Sequence, residues 1–177
     1  ASIQCTSILL HFPLMTLSTH IALAGALGAP LINSNPAALF IFAMGTHYLA
    51  DSIPHYDYKL RYAFNEDGDA PPFNTIDFLI HDCGRVGFDI ALGAVLAIMA
   101  LGVENFLAHP LSFFLLGLGS ILPDLLSALH VGVPTKLLQW NQSLQDFTHA
   151  KKLSWSLVGV CSQVLILAGA LAFIHFF

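Results

Sequence analysis

From Ile90 to Gly102 the chain reads IALGAVLAIMALG without one polar side chain, and four other stretches are nearly as apolar. These run from about Thr16 to Ile32, Pro36 to Ile53, Pro110 to Leu129 and Leu153 to Ile174. The third stretch begins near Thr75, with a polar first half (IDFLIHDCGRVGFD) ahead of the apolar run. Apolar runs this long, with no alternation bounded by turns, exclude strands. A membrane span needs about 20 residues, so the pattern predicts an all-α, polytopic transmembrane helical bundle of about five spans. Charge is too scarce for a water-facing coat: 10% of the 177 residues are charged, against roughly a quarter in a soluble domain. Lipid is the expected solvent and the bilayer the expected partner.

Small residues in STHIALAGALGA suit close helix contact inside such a bundle. Pro36 fits the first turn of the second helix, and Pro54 fits a stop. Polar stretches from His55 to Asn74 and from Val131 to Lys152 read as loops. Residues 1–14 lack a basic leader. They read either as an N-terminal extension or as an interfacial segment, with residues 15–177 as the transmembrane domain. Cys5, Cys83 and Cys161 are far apart and read as small apolar residues. A net charge of −5 offers no basic stripe for phosphates, so nucleic acid is not an expected partner. A short internal match points to a duplication: AALFIFAMGTHYLAD and LSFFLLGLGSILPD both end in Leu-x-Asp, with Asp51 and Asp124 equivalent. In the same scheme His20 on the first helix corresponds to Asp89 on the third.

Five spans place the loops alternately on two sides. Lys59, Arg61, Lys136, Lys151 and Lys152 fall on one side, with Arg85 near it, and the loops at Asn33–Asn35 and Val103–His109 have no basic residue. The positive-inside rule makes the basic side cytoplasmic, which predicts a multi-pass protein of the cytoplasmic membrane. That same face collects His20, His47, Asp51, His55, His81, Asp82, Asp89, Asp124, His130 and His149. The opposite face keeps Glu104, His109 and His175.

His47 and Asp51 stand i, i+4 on one helical face, a spacing that suits two ligands of one metal. Acids inside a membrane cost about 2.5–3.5 kcal/mol each at mid-depth, and a divalent cation supplies the missing counter-charge. Mixed imidazole and carboxylate ligands suit zinc, manganese or iron. The expected metal ligands are His20, His47, Asp51, His55, Asp89, Asp124 and His149. Asp82 is the expected water-activating base. Arg85 could instead pair with Asp82 or Asp89. There is no G-x-S-x-G, H-E-x-x-H, P-loop or G-x-G-x-x-G motif.

The His20 helix STHIALAGALGA, the segment HYLADSIPHYD, the helix turn GSILPD and the FTHA segment resemble a known family. It comprises the membrane-bound metal-dependent hydrolases, also described as LexA-binding, inner-membrane-associated hydrolases. The resemblance spans most of Met15 to Phe177 and implies a helical membrane protein with His and Asp near its span ends. The family's Pro-Asp-x-Asp-His reads Pro123-Asp124-Leu125-Leu126-Ser127 here, and its His-Arg-Gly-x-Thr-His reads Leu144-Gln145-Asp146-Phe147-Thr148-His149. Each departure loses a histidine, and the first also loses an Asp. The implied function is metal-dependent hydrolysis of a lipid or other interface-borne phosphate or ester. The rival from another class is a non-enzymatic membrane protein, a metal-ion carrier or assembly factor. A carrier needs polar residues continuing to the far face, and IALGAVLAIMALG and LILAGALAFI offer none.

Overall fold

The structure is a computed structural model that describes residues 16–55, 75–133, 135–148 and 156–174. Among the described residues it is helical throughout, with no strand. The helices are α1 (Thr16–Gly28), α2 (Pro36–Asp51), α3 (Thr75–Asp77), α4 (Gly84–Leu101), α5 (Val103–Ala108), α6 (Pro110–Gly132), α7 (Lys136–Thr148) and α8 (Ser156–Ile174). A 3-10 turn, Ala29–Leu31, follows α1, and a π-helical turn, Phe78–Cys83, joins α3 to α4. The extension at residues 1–14, the loop from Tyr56 to Asn74 and His149 lie outside the described residues.

Local chemistry explains most boundaries. The Asn35 side chain accepts from the Ala37 amide at 2.9 Å, and Pro36 occupies the first turn of α2. Gly102 closes α4 with φ of 84°, a backbone region that favours glycine. Pro123 lies inside α6 without ending it. It has no N–H to give the carbonyl one turn earlier, so the backbone ladder is loosened at this point.

The middle of α1 is buried and apolar on nearly every side, as expected of a helix enclosed by others. It packs on α4, α6, α8 and α2. The most extensive pairings are α1 with α4 and α2 with α6, the very segments that the internal match makes equivalent. Close approach depends on glycine. A Cβ on Gly25 would stand 2.7 Å from the Ala97 Cβ, and one on Gly119 would stand 2.5 Å from the Phe40 carbonyl. Leu39, Ala43 and Leu116 fill the space between α2 and α6, beside Ala24, Ile32 and Leu101.

Several polar side chains are buried while several large apolar ones face outward. His20, His47, Asp51, Asp82, Asp89 and Asn141 are buried, while Ile41, Phe88, Met99 and Leu165 are about two-thirds exposed or more. Two helical stretches, Phe78–Leu101 and Pro110–His130, are long and apolar enough to cross a membrane. Leu17–Leu31 and Leu157–Ala172 are apolar but shorter. With 13 residues, α1 rises about 20 Å, short of the ~30 Å hydrocarbon layer. Length and hydropathy thus carry two spans of the five that the sequence predicts.

Candidate metal centre

Residue spacing brings two side chains together before any tertiary contact forms. His47 and Asp51, one turn apart near the end of α2, meet at 3.1 Å between Nε2 and Oδ2. Packing adds the rest. Burial of α1 against α2 brings His20 Nε2 to 3.3 Å from Asp51 Oδ1, so each carboxylate oxygen faces a different imidazole. The His20 and His47 rings stack with centroids 4.2 Å apart. Tight α2–α6 packing then sets Asp124 Oδ1 3.5 Å from His47 Nε2. Past the end of α2, His55 turns its Nε2 towards Asp51 Oδ1 at 3.9 Å.

Backbone carbonyls fix how two of these rings point. His47 Nδ1 lies 2.7 Å from the Ser120 carbonyl, and His55 Nδ1 lies 2.8 Å from the Ile53 carbonyl. In each case Nδ1 carries the proton and donates it, because a carbonyl can only accept. In the neutral ring that leaves Nε2 as a lone pair facing Asp51, the arrangement of a metal-bound histidine. Ser120 lies three residues before Pro123, in the turn whose ladder the proline loosens. His47 Nε2 is buried and makes no hydrogen bond among the described residues.

The spacing admits either hydrogen bonds or a shared metal ion. Charge-assisted N–H···O contacts are typically about 2.7–2.9 Å long. A tetrahedral ion with bonds of about 2.0–2.1 Å has ligand atoms about 3.3 Å apart. The contacts of 3.1, 3.3 and 3.5 Å straddle that edge length. Donor atoms of His20, His47 and Asp51 all lie within 4.8 Å of one another, and all three residues are buried. These residues could hold a metal ion. Asp124 is the open member of the surroundings, with 38% of its side chain exposed against 2% for Asp51.

A polar network not anticipated from the sequence holds Asp124. The Gln145 amide on α7 donates to Asp124 Oδ1 at 3.2 Å, and the Ser127 hydroxyl in turn donates to Gln145. The Asn141 amide donates to the Pro123 carbonyl at 3.1 Å and to Ser127 at 3.0 Å, while Tyr48 donates to Asn141 at 3.1 Å. The stretch Val131 to Lys152 is therefore no simple loop. It contains α7, whose buried residues Leu138, Asn141 and Gln145 recur at helical spacing, a signal that was present in the sequence.

Asp82 and Asp89 are not members of the His20–His47–Asp51 group. Asp89 accepts from the Leu17 amide at 2.9 Å and the Ser18 amide at 3.3 Å. Its carboxylate caps the first turn of α1 and complements the positive end of that helix, a different task from the ligand role that the sequence suggests. Asp82 is buried in the π-helical turn and is not a member of the His20–His47–Asp51 group. Replacing Asp89 with Ala is expected to lower stability by about 1–3 kcal/mol and to leave metal content unchanged. Thermal melting and elemental analysis of the same preparation check this.

Comparison with protein-family models, curated proteins and solved structures returns no match for this chain.

Proposed function

We propose that the chain is a five-span protein of the cytoplasmic membrane that uses a divalent metal to hydrolyse a lipid or another interface-borne phosphate or ester. The metal is held by His20, His47 and Asp51, with His55 and Asp124 close enough to complete or adjust the site. One observation carries the reading. Donor atoms of three buried residues lie within 4.8 Å of one another, and the Ser120 carbonyl holds His47 Nδ1 so that Nε2 faces Asp51. The apolar outer surface and the two long apolar helices support a lipid environment. The motif resemblance to membrane-bound metal-dependent hydrolases points to the same class.

Burial explains why a cation suits the pocket. Two carboxylates face one imidazole nitrogen, and an uncompensated buried charge is costly. Protonating both stacked rings would set two positive charges face to face. One divalent ion neutralises the acids without that repulsion. A bound metal would supply a water acidic enough to be deprotonated near neutral pH. Asp124, half-open and oriented by Gln145, is the carboxylate placed to accept that proton, and it takes the role that the sequence alone suggests for Asp82.

The test is turnover of lipid phosphate and ester analogues presented in vesicles to the metal-loaded full chain. Hydrolysis that a chelator abolishes, and that Asp124→Asn lowers by about 10²–10⁴-fold, is expected. Metal retained with no turnover on either class would contradict catalysis and leave the carrier or assembly-factor reading.

A further inference from the structure

Helix α7 presents three faces of different chemistry. Leu138, Asn141 and Gln145 point into the protein. Lys136, Gln139, Ser143 and Asp146 form an exposed polar stripe. Between these two lie Leu137, Trp140, Leu144 and Phe147, and three of the four are largely exposed, at 70%, 67% and 85% for Leu137, Trp140 and Phe147. All three sets repeat at i, i+3 or i+4 and so define separate helix faces.

In water a helix of this composition would roll its Trp, Phe and Leu inward. Rolling is prevented here, because Asn141 and Gln145 are tied to Pro123, Asp124, Ser127 and Tyr48 by hydrogen bonds on the buried face. An apolar exposed stripe beside a polar exposed stripe needs an apolar medium beside an aqueous one. The apolar stripe also continues onto a membrane-crossing candidate. Leu125 and Leu129 of α6, and Val133 just beyond it, are about half exposed and stand at the same four-residue spacing in the sequence as Leu137.

We propose that α7 lies along the membrane–water boundary, with Leu137, Trp140 and Phe147 seated among lipid chains and headgroups and the Lys136–Asp146 stripe facing water. The occupant of this surface is the lipid bilayer. Tryptophan at headgroup depth and a lysine reaching for phosphate are the usual anchors of such a helix. The inner face of the same helix holds Asp124, so the mouth of the centre opens at lipid-headgroup level. This rests on the membrane reading above, and it adds a depth and an orientation for one helix.

The experiment uses the full chain reconstituted in phosphatidylcholine bilayers. Trp155→Phe leaves Trp140 as the sole tryptophan, since the chain has two. Lipids brominated close to the carbonyls should roughly halve its fluorescence, those brominated near the chain ends should quench it less, and aqueous acrylamide should quench it weakly. A companion variant, Trp140→Phe, Trp155→Phe and Val95→Trp, moves the reporter to a half-exposed position in the middle of the apolar run of α4. Deep bromines should quench that one best. Quenching at position 95 with none at Trp140 would overturn the proposal for α7 alone. Absence of lipid quenching at both positions would overturn it together with the membrane reading. Protection of Trp140 from both bromolipid and acrylamide would assign the surface to a second protein copy instead.

Discussion

Asp51→Ala is expected to lower divalent-metal affinity by at least about 100-fold while the chain remains folded and inserted. The size follows from the position of Asp51. Its two oxygens face His20 and His47 separately, so its removal takes away the proposed carboxylate ligand and the buried negative charge of the His20–His47–Asp51 group. His47→Ala should be comparably severe, because that ring is also the link between α2 and the Ser120 carbonyl of α6. His55→Ala should cost much less, given its longer 3.9 Å approach. Gln145→Leu should have a smaller effect, because Gln145 only holds Asp124 in place, and loss of such a supporting hydrogen bond commonly costs about 10–100-fold in metal affinity. Competition with a chromophoric chelator ranks the four variants. Equal affinity across the series would mean that these side chains do not share an ion.

The second large effect concerns packing. Gly119→Leu is expected to destabilise the chain by about 1–3 kcal/mol or more and to abolish metal retention as well. A first side-chain carbon at Gly119 meets the Phe40 carbonyl at 2.5 Å and the Ala43 Cβ at 3.0 Å. Backbone on one side cannot yield, so α2 and α6 must separate. His47 and Asp51 ride on α2, while Ser120 and Asp124 ride on α6, and the contacts between the two sets are then lost. Gly117→Leu provides the control, since nothing lies within 4 Å of a Cβ there. Thermal melting and metal content measured on both variants distinguish a general intolerance of bulk on α6 from a specific need for glycine at position 119.

Several elements were legible in the residues themselves. The i, i+4 spacing of His47 and Asp51 placed them on one face, and proline and asparagine marked the start of α2. The convergence of His20 with them followed from the clustering of His and Asp at one set of helix ends. Asp89 was legible as a buried acid but not as a cap, because its partners are backbone amides of α1 that carry no sequence signature. Helix α7 was obscured by its mixed polarity. Its apolar residues are one stripe among three, so mean hydropathy over Val131 to Lys152 resembles that of a loop, although Leu137, Trp140, Leu144 and Phe147 recur at helical spacing. The network through Asn141, Gln145, Ser127 and Tyr48 depends on how α7 folds back on α6, a long-range arrangement that composition does not encode. The apolar runs predict five spans, and length and hydropathy carry two of them; α1 is apolar and also buried among other helices, and hydropathy does not separate that setting from contact with lipid.

The most direct test of the proposed metal centre is the X-ray absorption spectrum of the 177-residue chain, purified in detergent and loaded with one equivalent of zinc. The account predicts a nitrogen and oxygen shell at about 2.0–2.1 Å with the multiple-scattering features of two or more imidazoles. A shell containing sulfur at about 2.3 Å, a spectrum of hydrated zinc without imidazole, or failure of the protein to retain zinc would contradict it.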